Sequence, residues 1–442
     1  MRILLSLVGV LALLPVPANN APANSAPANN EPGLAYVVTK GDGVVRVVGE
    51  GRDSNGDPVG PDTPMRVASV SKSFTAAAVL TLVDEGRVAL DRPVVSYLPE
   101  FRMADPRAAA ITVRQLLNQT SGLSDRTVDI DATQEAPDLA GYVAALRTGR
   151  LARTPGTDGE YCNVNYDVAA RLVEVVDGRP FAEAMRGRIF GPLGMTHSTV
   201  GDTPANGYNS VFGVWVERRE LPAFRGGAGG VVTTAADMGR WLISQTGHGP
   251  RIVSAAGLRE MHTPGPAAGT YAMGWGVEHA DGRTLLVHSG NLFTYTAVEA
   301  IDPATGEGWA VMTNSASPVD RTYDQLLALA GGREPELNWR PGTLETALGV
   351  IALLALGLGV LGVLRARRWQ GRTWRLLPLL VPTVVLATCP LWMSVLIGRT
   401  VTWAQMTYFP VPLTITLAVA ALAGLATAAA RVLVRRSVGS AR

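Results

Sequence analysis

Alternation of apolar and polar residues marks the start of the central part of the chain. Residues 34–51, LAYVVTKGDGVVRVVGEG, alternate around a Gly-Asp-Gly turn and predict a β-hairpin. Helical periodicity then dominates, and strand-like runs return before residue 313. The predicted helices are 69–86, 112–119, 138–149, 164–177, 180–190 and 317–330, and the later strands are 271–279, 284–290, 294–301 and 308–313. Strands at both ends with helices inserted between them predict an α+β fold with a separate helical lobe.

Three long apolar segments close the chain, near 346–364, 376–397 and 403–430. Each is long enough to cross about 30 Å of hydrocarbon as a helix. Prolines interrupt the second and third segments and predict kinks, which packed membrane helices tolerate. Residues 346–430 therefore predict three transmembrane helices and a membrane-lipid environment.

Arginines are distributed unevenly around these segments. The first loop, 365–375, carries five arginines and the tail 431–442 carries four, whereas the second loop holds only Arg399. This asymmetry places 365–375 and the tail in the cytoplasm, and the part of the chain before the segments outside. A basic patch for nucleic acid is the alternative for such a cluster, but its position between two apolar segments argues against it.

The N-terminus agrees with an external body. Residues 1–18, MRILLSLVGVLALLPVPA, combine Arg2, a short apolar run and a small-residue site, which is typical of a secretory signal peptide. A short uncleaved anchor is the alternative, although the run is short for a membrane span. Residues 19–33 are rich in Asn, Pro and Ala and predict a disordered linker. The soluble body is then 34–335, long enough for a substantial core.

Composition narrows the function classes. A net charge of +2 over 442 residues gives no broad basic face, so we expect no nucleic-acid partner. Cys162 lies in the body and Cys389 in an apolar segment, so we expect no disulfide framework. The five histidines are scattered without a ligand pair, so we expect no metal and no cofactor.

The stretch RVASVSKSF, residues 66–74, contains the first candidate chemistry. Lys40 and Lys72 are the two lysines among 39 basic residues, and the rest are arginines. Ser69 and Lys72 are one helical turn apart, so the lysine can accept the proton of a serine nucleophile, which a guanidinium cannot do. The alternative is an N-terminal capping serine followed by a solvated lysine, because Ser-x-x-Lys alone is a weak motif.

Two later stretches add candidates. GEYCNVNYDVAARLVE places Tyr161 and Asn163 just before a predicted helix, where a core aromatic and a helix cap are the alternatives. TLLVHSGN ends a predicted strand with His288-Ser289-Gly290, and the glycine allows a substrate backbone to approach an exposed strand edge. An ordinary surface histidine is the alternative for His288.

In chain order, Ser69-x-x-Lys72, Tyr161-x-Asn163 and His288-Ser289-Gly290 resemble the three active-site motifs of the serine β-lactamase and penicillin-binding protein superfamily. The resemblance is greatest to its class C and D-aminopeptidase-like branch and covers about 300 residues. It extends to the connecting stretches LLNQTSGL (116–123), PGTDGEYCNVNYDVAARLVE (155–174), FGPLGMTHS (190–198), GAGGVVTTAADMGRW (227–241) and YAMGWGV (271–277). The resemblance implies an antiparallel sheet flanked by helices, with a helical lobe.

The resemblance also implies acyl transfer. Ser69 would attack a carbonyl, with Lys72 and Tyr161 sharing the general-base and general-acid work. The backbone N–H groups of Ser69 and Asn291 would form the oxyanion hole, and Asn163 would orient the substrate amide. His288-Ser289-Gly290 and Asn291 would line the substrate site.

Four departures from the family pattern concern specificity more than catalysis. Cys162 stands where Ser or Ala is usual, and Asn118-Gln119 stand where Thr-His is common. Asn291 follows the glycine where another glycine is frequent, so its side chain bears on substrate preference. His288 replaces the lysine of many relatives and would shape the electrostatics near the leaving group or the substrate carboxylate. Cys162 itself is interpreted as a small packed thiol rather than a nucleophile.

Substrate is left open by these motifs. A cell-surface D-amino-acid peptidase, carboxypeptidase or esterase fits, acting on a small-molecule or peptide substrate. The architecture also resembles membrane-bound peptidases of the colibactin-maturing type, which remove an N-acyl-D-amino-acid cap from a natural-product precursor. The alternative of another class is a β-lactam-binding receptor without turnover, but the predicted cytoplasmic segments are too short for a signalling domain. The sequence does not indicate an oligomeric state.

Overall fold

The computed structural model describes residues 31–221, 226–280, 282–336, 338, 342–369, 372–397 and 400–439. The predicted signal peptide and most of the predicted linker lie outside these residues. The end of the linker, however, is part of the folded body. Glu31 is buried and accepts hydrogen bonds from Ser315 Oγ at 3.1 Å and from Gln325 Nε2 at 3.2 Å. The body thus begins before residue 34.

A six-stranded antiparallel sheet, in the order β2-β1-β11-β10-β9-β8, forms the centre of the body. Two smaller sheets, β3-β7-β4 and β5-β6, lie outside it. The strands are β1 Gly33–Lys40, β2 Gly43–Gly51, β3 Met65–Arg66, β4 Thr199–Val200, β5 Gly207–Val211, β6 Val214–Arg218, β7 Val231–Thr233, β8 Gly276–Ala280, β9 Arg283–Asn291, β10 Thr296–Asp302 and β11 Glu307–Thr313. The predicted first hairpin is therefore confirmed, as are the three last strands.

One predicted strand is shifted. The apolar run 271–279 enters the sheet only at Gly276, because a turn occupies its first half. Ala272 N donates to Trp275 O at 2.7 Å, and Gly274 adopts φ +81° where its α-carbon packs against the backbone of Ser73. A side chain at position 274 would meet that backbone at 2.6 Å, so the turn needs glycine.

Ten helices of the body surround the sheet among the described residues. They are α1 Ser71–Asp84, α2 Val113–Leu117, α3 Ile130–Gln134, α4 Leu139–Ala145, α5 Asn163–Asp177, α6 Phe181–Met185, α7 Gly191–Leu193, α8 Ala235–Gln245, α9 Ala255–Met261 and α10 Val319–Ala330. A π-helical turn, Arg186–Phe190, joins α6 to α7. The five predicted helices between the hairpin and residue 190 all have counterparts, whereas α3, α7, α8 and α9 were not predicted.

The main core lies between the sheet and α1, α5 and α8. α1 is buried on nearly all sides, and Phe74 stacks on Trp241 of α8 with ring centroids 4.0 Å apart. α8 begins with Thr234 as its N-cap, whose hydroxyl accepts from Asp237 N at 3.2 Å. α10 covers the opposite face, where Leu326 packs in a second apolar cluster with Trp309. The helical lobe and the sheet thus meet at α1.

The C-terminal segments are helical. α11, Thr343–Leu364, matches the first predicted segment. The second consists of a 3₁₀ stretch, Thr373–Leu380, followed by α12, Val381–Ala387, and α13, Cys389–Ile397, with a bend of 55° at the break before Cys389. The third divides into α14, Trp403–Met406, and α15, Val411–Gly439. Two described helices are long and apolar enough to cross a membrane, or three if the bent pair counts as one span.

The body contacts these helices at one end. Glu345, in the first turn of α11, accepts hydrogen bonds from Ser210 Oγ at 2.8 Å and Gly213 N at 3.0 Å in the β5–β6 hairpin. Tyr408, between α14 and α15, packs its ring 5.5 Å from Phe293, two residues after Asn291. The end of β9 is thereby close to the apolar helices.

Candidate active site

Ser69 lies in a strained turn. A single 3₁₀ turn, Ala68–Val70, connects β3 to α1, so Ser69 precedes the α-helix rather than opening it. Ala68 adopts φ +50°, a left-handed conformation that costs a residue with a β-carbon on the order of 1–2 kcal/mol. This turn leaves Ser69 half-buried, one turn from Lys72, and places its hydroxyl at the junction of the helical lobe and the sheet.

Lys72 is buried with no exposed surface, and its amino group has three oxygen partners. Nζ lies 2.9 Å from Ser69 Oγ, 2.8 Å from Asn163 Oδ1 and 2.8 Å from Ala228 O. The amide and carbonyl oxygens can only accept hydrogen bonds, whereas the serine hydroxyl can also donate. A neutral amine would keep two N–H bonds to Asn163 and Ala228 and direct its lone pair at Ser69.

Asp167 holds Ala228, one of the three partners of Lys72, in place. Its Oδ1 accepts from Ala228 N at 3.1 Å, so the residue whose carbonyl oxygen accepts from Lys72 is itself held by a buried carboxyl. Burial raises the pKa of Asp167 to about 7, opposed by the Ala228 hydrogen bond and by the charge of Lys72. Gly227 precedes this peptide at a point where a β-carbon would meet Tyr166 O at 2.5 Å.

Tyr161 and Asn163 are brought beside Lys72 by the start of α5. The Tyr161 ring is 48% exposed and lies with its centroid 4.9 Å from Lys72 Nζ. Its hydroxyl has no hydrogen-bond partner among the residues that the structure describes. Cys162 points the other way, is fully buried, and donates from Sγ to Asp125 Oδ1 at 3.0 Å. Burial raises the pKa of this thiol, in agreement with a packed cysteine.

The open edge of β9 forms the opposite wall. β8 pairs with β9 only as far as Val287, so residues 288–291 have no partner on that side. Leu292 N donates to Tyr295 O at 2.9 Å and closes the turn to β10. Because hydrogen-bonded and non-hydrogen-bonded pairs alternate in antiparallel strands, Asn291 opposite Thr296 directs its N–H away from β10, to the open edge.

Gly290 is packed directly against the nucleophile turn. A β-carbon there would lie 2.1 Å from Val67 O and 3.0 Å from Ser69 N. Glycine is therefore required for β9 to approach the backbone at Ser69 this closely. The Asn291 side chain is exposed, and its Nδ2 lies 3.3 Å from Thr296 Oγ1.

His288 is buried and neutral. Its Nδ1 donates to Ser289 O at 2.7 Å, and its Nε2 lies 3.1 Å from the hydroxyl of Tyr271. Burial, and then the charge of Lys72, lower the pKa of His288 to about 3. Tyr271, Ala228 and Asp167 were not predicted as site residues, although the stretches YAMGWGV, GAGG and GEYCNVNYDVAARLVE contain them. Among the described residues no group of three or more His, Cys, Asp or Glu side chains could hold a metal ion.

The sequence profile of the family described as Beta-lactamase matches residues 23–333. Over 300 residues the chain is 27% identical to Protein flp of Staphylococcus aureus, covering 64% of this chain and 59% of flp. The chain thus spans less than two thirds of the length of flp. Over 317 residues it is 31% identical to Penicillin-binding protein 4 of Amycolatopsis lactamdurans, covering 64% of this chain and 81% of that protein.

The fold agrees with the sequence match. The crystal structure of D-amino acid amidase from Ochrobactrum anthropi superposes with a TM-score of 0.57 at 26% identity, covering 68% of this chain and 94% of the amidase. The family match includes all three motifs and the α+β body that holds them together. The chain therefore belongs to the β-lactamase family of serine hydrolases, in the β-lactamase/transpeptidase-like superfamily.

Proposed function

We propose that this protein is a membrane-anchored, extracytoplasmic hydrolase that cleaves amide or ester bonds through an acyl-enzyme on Ser69. The observation that carries the proposal is the short contact between Lys72 Nζ and Ser69 Oγ, with the other two Lys72 partners restricted to accepting hydrogen bonds. An amine held in this way is aimed at the serine proton. A lysine that served only as a solvated charge would not be fully buried.

In the first step Ser69 Oγ bonds to the substrate carbonyl carbon while its proton passes to Lys72. The negative charge that develops on the carbonyl oxygen is received by the N–H groups of Ser69 and Asn291. Preorganised donors of this kind contribute about 2.7–4 kcal/mol each. Neither N–H needs to reorient, because the 3₁₀ turn and the β9 register fix both of them.

In the second step the bond to the leaving group breaks and a proton is delivered to it. Tyr161 is suited to this transfer, because its ring is exposed to the cleft and lies against Lys72, the group that holds the serine proton. Asn163 keeps its amide N–H bonds for the substrate, since its Oδ1 is occupied by Lys72. Water then attacks the acyl-enzyme and releases Ser69 by the same route in reverse.

The proposed location rests on two independent features. The arginine asymmetry puts the loop 365–375 inside and the body outside. The body contacts Glu345 and Tyr408, both of which fall on the predicted outer side of the spans. Membrane lipid then surrounds the C-terminal helices, and the substrate is a small molecule or peptide outside the cell.

The likeness to the amidase favours D-configured amides as the first substrates to test. A panel of D-configured amide substrates therefore includes one that carries an N-acyl-D-amino-acid cap, because removal of such a cap belongs to this class. A receptor that is acylated without turnover would release one equivalent of leaving group per protein molecule in an initial burst. The acyl group would then leave Ser69 only slowly. Repeated turnover of any substrate in the panel excludes that alternative.

The proton-acceptor role of Lys72 is tested by Lys72→Arg. The substitution keeps the positive charge but removes a group that can lose a proton near neutral pH. We expect covalent labelling of Ser69 by a fluorophosphonate to fall by about 10²–10⁴-fold or more. Ser69→Ala serves as the unlabelled control, and melting curves establish that each variant folds. Labelling of Lys72→Arg within a few-fold of wild type would exclude Lys72 as the base.

A further inference from the structure

Tyr161 lies in an irregular segment just before α5. Residues 158–162 of that segment form neither helix nor strand. The Tyr161 ring is 48% exposed and packs edge-on against Tyr271, with ring centroids 5.9 Å apart. Because no described residue bonds to the Tyr161 hydroxyl, the place of this ring beside Lys72 depends on how the backbone on either side of it is held.

One residue, Gln119, holds that backbone on both sides of Tyr161. Its main-chain oxygen accepts from Glu160 N at 2.9 Å, and its side-chain Oε1 accepts from Cys162 N at 3.0 Å. The same Oε1 accepts from Asn165 Nδ2 at 2.6 Å, in the first turn of α5. Because a backbone N–H can only donate, the atom that faces Cys162 N must be the amide oxygen, which fixes the orientation of the Gln119 side chain.

Gln119 adopts an unfavourable backbone conformation at this place. α2 ends at Leu117 and Asn118 is its C-cap, so Gln119 occupies the next position, where glycine is usual. Its φ of +63° is uncommon for a residue with a β-carbon. The side chain is buried, with 2% of the residue exposed. A glycine would fit this backbone better, so the glutamine indicates a need for its side chain.

The loop around Gln119 is tied to the same segment by other bonds as well. Gly156 N donates to Thr120 O at 2.8 Å, and Ser121 Oγ donates to Asn165 Oδ1 at 2.6 Å. These bonds secure the two ends of the segment. A change in the Gln119 side chain should therefore loosen the middle of the segment without releasing the whole loop.

We propose that Gln119 is a positioning residue that holds Tyr161 where its hydroxyl can protonate the leaving group. The inference deepens the proposed function and rests on the role given there to Tyr161. As the bond between the acyl carbon and the leaving oxygen or nitrogen breaks, its electron pair stays on that atom. The Tyr161 proton passes to the same atom, and Tyr161 recovers a proton from Lys72. A misplacement of about 1 Å can slow such a transfer by about 10²-fold.

The test uses two esters with one acyl group, the p-nitrophenyl and ethyl esters of N-acetyl-D-alanine. The p-nitrophenolate leaves without a proton, whereas ethoxide needs one as it leaves. We define the ester ratio as kcat/KM for the p-nitrophenyl ester divided by kcat/KM for the ethyl ester, measured on the full-length protein in detergent. Gln119→Met removes Oε1 and should raise this ratio by about tenfold or more.

Two variants control for the substitution itself. Gln119→Glu keeps an oxygen where Oε1 lies and should retain the wild-type ester ratio. Gln115→Met is the same change four residues earlier, and it removes a comparable bond in which Thr112 N donates to Gln115 Oε1 at 3.0 Å. Because that bond does not reach the Tyr161 segment, Gln115→Met should also retain the wild-type ratio.

A double mutant separates positioning from general damage to the fold. Tyr161→Phe should raise the ester ratio by itself, because the proton donor is gone. In that background Gln119→Met has no hydroxyl left to position and should cause no further rise. Melting curves establish that each variant folds, and fluorophosphonate labelling, in which fluoride leaves without a proton, establishes that Ser69 still reacts.

A folded Gln119→Met with the wild-type ratio would overturn the inference. So would a folded Gln119→Glu whose ratio rises as far as that of Tyr161→Phe. A failure of the proposed function gives a different result. Equal losses on both esters in Tyr161→Phe would refute the role of Tyr161, and a wild type that neither labels nor hydrolyses either ester would refute the acyl-enzyme. In both of these cases the inference falls with its premise.

Discussion

Glu299, on β10, is a buried carboxylic acid that contacts Ser73 near the start of α1, and its hydrogen bonds indicate its charge state. Ser73 Oγ lies within 2.8 Å of Val70 O and 2.7 Å of Glu299 Oε1, yet a hydroxyl has one hydrogen. Both contacts are satisfied if Ser73 donates to Val70 and a protonated Glu299 donates to Ser73. Burial raises the pKa of Glu299 to about 8, which agrees with this assignment.

Glu299→Gln tests the assignment, because a glutamine amide can donate to Ser73 and accept from Trp241 in the same place. The folded state binds the Glu299 proton more tightly than the unfolded state, whose pKa is about 4.3. This contribution to stability is complete below about pH 4 and is lost as pH rises towards 8. Wild type should therefore lose on the order of a few kcal/mol of unfolding free energy between pH 5 and 8.

The Glu299→Gln variant should lose less unfolding free energy than wild type over the same pH range. Asp167 and the other titrating groups are common to both proteins, so the difference between them reports on Glu299. Denaturant unfolding at each pH measures the difference. Parallel stability curves for the two proteins would show that Glu299 is ionised in the fold.

At the scale of elements, the active site is a crossing of β9 over the turn that precedes α1. Neither element contains the whole site, and the crossing is close because Gly290 has no side chain. β8 pairs with β9 only as far as Val287, which leaves the edge of β9 beyond Val287 open, as a strand edge that binds an extended ligand must be. A strand that ends early is thus as important to the site as one that continues.

Gly290→Ala should impair catalysis through the backbone. Its β-carbon would meet Val67 O at 2.1 Å, so β9 must move away from Ser69 and carry the Asn291 N–H with it. We expect labelling of Ser69 to fall by about 10²-fold, the cost of losing an oxyanion donor.

Gly276→Ala is the matched control, because its β-carbon makes an ordinary contact of 3.4 Å with Val287 O. This variant should label at nearly the wild-type rate. A Gly290→Ala protein that melts normally and labels as fast as Gly276→Ala would show that the close approach is not needed.

At the scale of the molecule, the hydrolase body and the apolar helices meet through specific polar contacts. Tyr408 donates from its hydroxyl to Arg219 O at 2.9 Å, and the Arg218 guanidinium lies 4.3 Å from its ring centroid. Glu345 holds the tip of the β5–β6 hairpin from the first turn of α11. The hydrolase body therefore has a defined position relative to the apolar helices.

The proposed topology is tested with single cysteines in a Cys162→Ser, Cys389→Ser background. A membrane-impermeant maleimide should label Asp42→Cys, in the exposed β1–β2 turn, on intact cells. Arg367→Cys, in the loop 365–375, should label only after the membrane is permeabilised, because the arginine-rich loop is expected inside. Labelling of Arg367→Cys alone on intact cells would reverse the topology.

The sequence by itself determined those features that depend on residues a few positions apart. The Ser69–Lys72 contact follows from helical periodicity, the first hairpin from alternation around a turn, and the apolar helices from their length. The bend before Cys389 and the start of β8 at Gly276 depend on packing, so the sequence predicted their positions only approximately.

Only the tertiary structure decided which distant groups complete the site. Ala228, which is 156 residues from Lys72, accepts a hydrogen bond from it, and Tyr271 fixes His288. Strands as short as β3, β4 and β7 carry no periodic signal and exist because they pair with each other. The physical reason is that local patterns record which face of an element is buried, whereas the charge state of His288 and the open edge of β9 depend on which elements pack together.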